Sequence, residues 1–249
     1  RPLTRGECLL AGLAVALASM AKAPYAALAV LLVLAPAQDR RTAWLAAAFA
    51  ILAGVGWNLW QAAAGWPAPP PPGMSSDFLG QVRFLRDHLH QVPDILAATF
   101  DRHGVNYLLE IVGVLGWLDT PLPRAFYPAA FAMLGVALVA PAAVGLTGGW
   151  RWVRIGAPVL MLAGTAAVFL ALYLGWSATG SPTIEGVQGR YLLPLLLMAP
   201  LMLEGPRPIL GGDRVRAGLC AALSAGVLAF PLVSLAVTVE TLIRRYYLT

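Results

Sequence analysis
The side chains able to do chemistry are few and sit close together. The stretch Glu185-Gly186-Val187-Gln188-Gly189-Arg190-Tyr191-Leu192-Leu193-Pro194 puts a carboxylate, an amide, a guanidinium and a phenol within ten residues, between two apolar runs. Gly186 and Gly189 permit tight turns beside these groups, and Pro194 limits how regular a following helix can be. Lys22 and Tyr25 interrupt an apolar run near the start of the chain. Two cations beside lipid suit a phosphate or diphosphate headgroup, Arg190 through its fork of donors and Lys22 as a point charge. Gln188, Tyr25 and Tyr191 offer hydrogen bonds to sugar hydroxyls or phosphate oxygens, while Glu185, Asp119 and Glu110 are candidate acids or bases. The bland reading of interfacial Lys, Arg and Tyr is that they snorkel or anchor helices. Asp119 either bonds the backbone of its own turn or faces a site.

The elements that must position these residues follow from composition. Of 249 residues 59% are hydrophobic and only 12% charged, with a mean hydropathy of +0.73. A soluble domain carries roughly 25% charged residues. Half that, with apolar runs near the length of a bilayer span, means an all-α integral membrane protein. The net charge of +5 does not imply nucleic acid, because the basic residues lie in short clusters between apolar runs. Cys8 and Cys220 match no metal spacing. No P-loop, strand-borne GxGxxG, serine nucleophile elbow or internal repeat is present, and no cofactor is implied. A chain opening on Arg1 reads as the later part of a longer one.

In chain order, residues 6–20 and 26–35 read as a hairpin of two short helices turning at Lys22. As a single span they would bury Lys22 mid-membrane at roughly 3 kcal/mol. Each arm is short of a full crossing. Residues 42–63 make a third helix with Trp57, Trp60 and Trp66 as interfacial anchors, and the first membrane unit is 1–63. Region 64–124 is an outer loop: a proline-rich spacer at 67–73, an amphipathic interfacial helix capped by Ser75 and Ser76 and stopping at Pro93, and a second short surface segment at 94–103. His88 and His90 point apart on such a helix and read as solvated or headgroup-facing. Residues 105–117 are apolar but too short to span, and Gly113 to Pro123 closes the region as a rigid turn. Region 125–249 carries helices at 125–146, 155–177, 191–203 and 217–242, giving about seven spans with every arginine-rich short turn on the cytoplasmic side. Lys22, the 67–123 region and residues 185–190 then share the outer face.

Three stretches resemble the DUF2142 family of bacterial multi-pass membrane proteins: Ala18-Ser19-Met20-Ala21-Lys22-Ala23-Pro24-Tyr25, the Gly113 to Pro123 turn with its Gly-Trp-Leu-Asp-Thr core, and Gly186 to Pro194. That family looks related to the GT-C glycosyltransferases, which move a sugar from a polyprenyl-phosphate donor on the outer face of the membrane. The resemblance implies a GT-C-like fold in the bacterial inner membrane and a role in cell-envelope glycan synthesis. Lys22, Tyr25, Gln188, Arg190 and Tyr191 would bind the lipid phosphate or sugar, and Glu185 or Asp119 would assist catalysis. GT-C enzymes usually hold their catalytic acid in a first outer loop, and no matching stretch exists here, so the chain reads as a carboxy-terminal portion or part of an assembly. The other readings are a lipid-linked saccharide transporter, disfavoured by spans nearly free of charge, and a non-catalytic subunit docking a protein partner through the outer loop.

Overall fold
The computed structural model of the protein describes residues 1–64, 77–143, 151–202 and 213–248. It is nearly all α-helical. Helix α1 (Arg5–Ala21) opens on a capping box, in which the Thr4 hydroxyl accepts from the Glu7 amide and the Glu7 carboxylate accepts from the Thr4 amide. It ends at Lys22, whose extended backbone turns the chain back through a 3₁₀ segment (Ala23–Leu28) into α2 (Ala29–Leu34). The open ends of the two arms are tied together, Leu3 donating to the Pro36 carbonyl at 2.8 Å and Gln38 donating to the Leu3 carbonyl at 2.9 Å.

Helix α3 (Arg40–Ala63) lies along α1 on a seam of small residues. A Cβ on Gly12 would stand 2.8 Å from that of Ala46, and Gly54 faces Ser19 as closely. The Asn58 amide caps this seam, donating to the carbonyls of Ser19 at 3.0 Å and Gly54 at 2.8 Å. Small residues let helix backbones approach where lipid gives no hydrophobic reward for association.

The outer region departs from its sequence reading. Helix α4 (Phe78–Asp87) is capped by Asp77, whose carboxylate accepts from the Gly80 amide at 2.9 Å; Ser75, Ser76, Trp66 and the 67–73 spacer lie outside the described residues. It stops at Asp87, five residues before Pro93 is reached. His88 caps it, stacked on Phe84 with ring centroids 4.6 Å apart and its Nδ1 3.0 Å from the Phe84 carbonyl oxygen, so this ring is held by its own turn. Residues 94–103 and 105–112 are one continuous helix, α5 (Val92–Val112). Pro93 sits in its first turn, where the missing N–H costs nothing, and Asp94 complements the helix dipole. A two-stranded hairpin, β1 (Val114–Leu115) and β2 (Thr120–Pro121), follows. The Tyr127 hydroxyl pins it, donating to the Gly113 carbonyl at 2.9 Å and accepting from the Leu122 amide at 3.1 Å.

Helices α6 (Phe126–Ala143) and α7 (Arg151–Gly175) come next. The expected helix at 191–203 is broken into a 3₁₀ turn (Gly189–Leu192), α8 (Leu193–Leu196) and α9 (Ala199–Met202). Pro194 and Pro200 each open a new helical piece because neither has an N–H to continue the last one. Helix α10 (Asp213–Tyr247) leans on α6 through stacked Phe126 and Phe230 rings 5.7 Å apart. Among the described residues, three helical segments are long and apolar enough to cross a membrane, Arg40–Gln61, Arg151–Gly175 and Cys220–Tyr247, with shorter apolar helices at Ala23–Leu34 and Phe126–Ala140.

Candidate functional site
The site is built around the loop between α7 and the 3₁₀ turn at Gly189. Buried polar side chains of α4, α5 and the loop's own first turn fix its backbone. The Thr99 hydroxyl of α5 accepts from the Ile184 amide at 2.9 Å, Gln81 of α4 accepts from the Gly180 amide at 2.9 Å, and Ser177 accepts from the Glu185 amide at 3.0 Å. Underneath, Ile184 and Val187 pack with Tyr107, Phe169 and Tyr173. Gly186 adopts φ +77°, a left-handed conformation natural to glycine. Gly189 lies so close to the Tyr107 carbonyl of α5 that a Cβ would overlap it. Its amide donates to a Glu110 carboxylate oxygen at 2.6 Å.

Two compartments meet here. The first is a cavity of about 400 Å³ between α5, the hairpin and residues 184–188. Its α5 wall is His103, Asn106, Tyr107 and Glu110, spaced i, i+3, i+4, i+7 along one helix face. Across from it stands Glu185, whose carboxylate is 3.7 Å from His103 Nε2 and accepts from the Thr183 hydroxyl at 2.7 Å. His103 Nε2 is shielded from solvent and has no hydrogen-bond partner among the described residues. Burial, with the charges of Glu110 and Glu185 adding, pushes the Tyr107 phenol up to about 12. Among the described residues no three His, Cys, Asp or Glu side chains converge as metal ligands.

The second compartment gathers the cations. Lys22 Nζ lies 4.1 Å from the centroid of the Tyr191 ring, and the Arg190 guanidinium carbon lies 6.0 Å from the same centroid. The Tyr25 hydroxyl donates to the Tyr191 carbonyl at 2.6 Å, which docks the Lys22 turn onto the 3₁₀ turn. Neither Lys22 nor Arg190 has a carboxylate within ion-pair distance among the described residues. Arg190 Nε donates to Gln188 Oε1 at 2.7 Å, and Gln188 also lines the cavity, so this one amide joins the compartments. An apolar groove of about 370 Å³ runs along α1, α2 and α8 from Leu3 to Ala18 and Pro194; neither cation lines it, and Lys22 follows Ala18 by one helical turn.

A protein-family model described as "predicted membrane protein (DUF2142)" matches residues 1–199. The chain belongs to the DUF2142 family. No curated protein and no solved structure matches the chain. All three motifs that carried the resemblance fall inside the matched range, whereas α10 lies beyond it. For this DUF2142 chain, the fold brings Lys22, Tyr25, Gln188, Arg190 and Tyr191 together and sets Glu185 next to them through Gln188. Asp119 stands apart. One of its oxygens accepts from the Trp117 amide at 3.1 Å and the Thr120 hydroxyl at 3.3 Å, and the other is 3.5 Å from Arg245 of α10. His103 and Asn106 escaped sequence reasoning, which placed them on opposite sides of a segment boundary; their spacing with Tyr107 and Glu110 is the signal that a continuous helix would have exposed.

Proposed function
We propose that this chain is a GT-C-like membrane glycosyltransferase, or the carboxy-terminal part of one, that uses a polyprenyl-phosphate-linked sugar in bacterial cell-envelope glycan synthesis. The observation that carries this reading is the pair of cations, Lys22 and Arg190, sharing the Tyr191 ring without carboxylate partners among the described residues, with Lys22 one helical turn beyond Ala18 of an apolar groove. A lipid phosphate satisfies both halves of that arrangement. Its hydrocarbon occupies the groove, and its phosphate takes the place of the missing counter-charge.

The chemistry follows from the same geometry. In an inverting transfer a carboxylate takes the proton of the acceptor hydroxyl as its oxygen bonds to the sugar C1. The bond from C1 to the phosphate oxygen breaks, and its electron pair leaves with the lipid phosphate. Lys22 and Arg190 stabilise the charge growing on that phosphate. Glu185 is the carboxylate open to this arrangement: it lines the cavity that Gln188 connects to Arg190 and 37% of its side chain is exposed, whereas Glu110 is committed to the Gly189 amide. Asp119 is occupied by its own turn and by Arg245.

The test is lipid-phosphate binding by the purified chain in nanodiscs, with undecaprenyl phosphate as probe. Arg190→Ala is expected to weaken binding by about tenfold or more, the loss of a charge-assisted contact. Unchanged binding in Arg190→Ala and in Lys22→Ala would remove the basis of the proposal.

A further inference from the structure
The cavity and the cation pair differ in chemistry, and the difference says what the cavity takes. Among the described residues no lysine or arginine lines it, while two carboxylates, Glu110 and Glu185, do. A phosphate or carboxylate ligand would meet the like charge of these two carboxylates there. Glu110 is nearly buried and committed to the Gly189 amide, so it shapes the wall. The groups left facing the space are the Glu185 carboxylate, the exposed Asn106 amide and the Gln188 amide, whose oxygen is held by Arg190 and whose NH₂ is thereby left to donate. Acceptors and donors on separate walls of a cavity of about 400 Å³, within the size range of small-ligand sites, fit several hydroxyls on one rigid body.

We infer that this cavity binds a neutral saccharide, with Glu185 accepting from one of its hydroxyls and Asn106 and Gln188 bonding others. The inference rests on the glycosyl-transfer reading for its place in the reaction, where it supplies the acceptor. The binding itself stands without that reading. The Thr183 hydroxyl holds one oxygen of the Glu185 carboxylate at 2.7 Å, and His103 Nε2, closed to solvent, stands 3.7 Å from the other, so the His103 ring reports on what Glu185 binds.

Saturation-transfer NMR on the chain in nanodiscs separates the two claims, using methyl α-glucoside, methyl α-galactoside, methyl α-mannoside and methyl N-acetylglucosaminide against glucose 1-phosphate. At least one neutral glycoside is expected to be saturated, the phosphate ester not at this cavity, and the His103 ring signals are expected to shift only with the glycoside. Glu185→Gln and Asn106→Ala should each weaken glycoside binding about tenfold while undecaprenyl phosphate still binds. Asn106 is exposed, so its variant leaves the fold intact. Glycosides that give no saturation in protein still binding the lipid phosphate, or that bind equally to both variants, would overturn the inference while leaving the lipid-phosphate reading standing.

Discussion
Asp119 illustrates how a single carboxylate divides between structure and chemistry. What burial it has pushes its pKa up, but hydrogen bonds from its own backbone, Thr120, Arg245 and Trp117 outweigh that and hold it below the ordinary carboxylate range. A group whose pKa is depressed on folding adds stability above its unfolded value, and the contribution is lost as pH falls through the folded one. The contact between the hairpin and α10 is therefore expected to loosen in acid, below the usual carboxylate titration. Trp117, 95% exposed and bonded to Asp119 through its amide, reports the change as fluorescence. Asp119→Asn should remove the acid limb of that titration; an identical limb in the variant would show that another group controls the contact. The sequence left Asp119 open between a turn and a site because aspartate serves both with the same atoms. Only the arrival of Arg245, 126 residues later in the chain, decides between them.

At the scale of elements, the site depends on Gly189 fitting against α5. A methyl group there meets the Tyr107 carbonyl, a backbone atom that cannot swing aside. Gly189→Ala is expected to cost about 1–3 kcal/mol of stability, as overpacking does, and to abolish lipid-phosphate binding by displacing Arg190 and Tyr191. Thermal unfolding and the nanodisc binding assay check both, and wild-type values in the two would show that the loop has room to move. The helices of the membrane-buried portion were legible from hydropathy: α3 and α7 run close to their expected bounds. What misled was punctuation. Pro93 reads as a stop in the sequence and sits in the first turn of α5 in the fold, because proline carries the same local signal for both. Splitting α5 after His103, its twelfth residue, hides the face that carries His103, Asn106, Tyr107 and Glu110. The reverse error fell on residues 191–203, where apolar composition spoke for a span and two prolines made short pieces.

For the whole molecule, the geometry joins regions that lie far apart in sequence onto one end of the bundle. Lys22 meets Tyr191, and the hairpin meets the last turns of α10. Lys22 and the hairpin are thus expected on the same side of the membrane. With Cys8 and Cys220 replaced by alanine, Lys22→Cys and Trp117→Cys in oriented vesicles should react with a membrane-impermeant thiol reagent from one side together. Labelling from opposite sides would break the shared-face arrangement. Sequence alone supplied the membrane class and the three motifs. It did not supply their convergence, because nothing in one-dimensional order says that the Tyr25 hydroxyl will find the Tyr191 carbonyl across 166 positions.

One consequence of the Lys22 turn concerns the bilayer rather than the protein. Helix α1 has seventeen residues and so rises about 26 Å, less than the ~30 Å hydrocarbon thickness. Its partner arm is no longer, and the backbone bonds at Leu3 clasp the two at their base. A hairpin with this mismatch is expected to draw the membrane thinner around it. On the proposed reading, a phosphate headgroup held at Lys22 is expected to lie deeper than its neighbours in the leaflet, at the level of Tyr191.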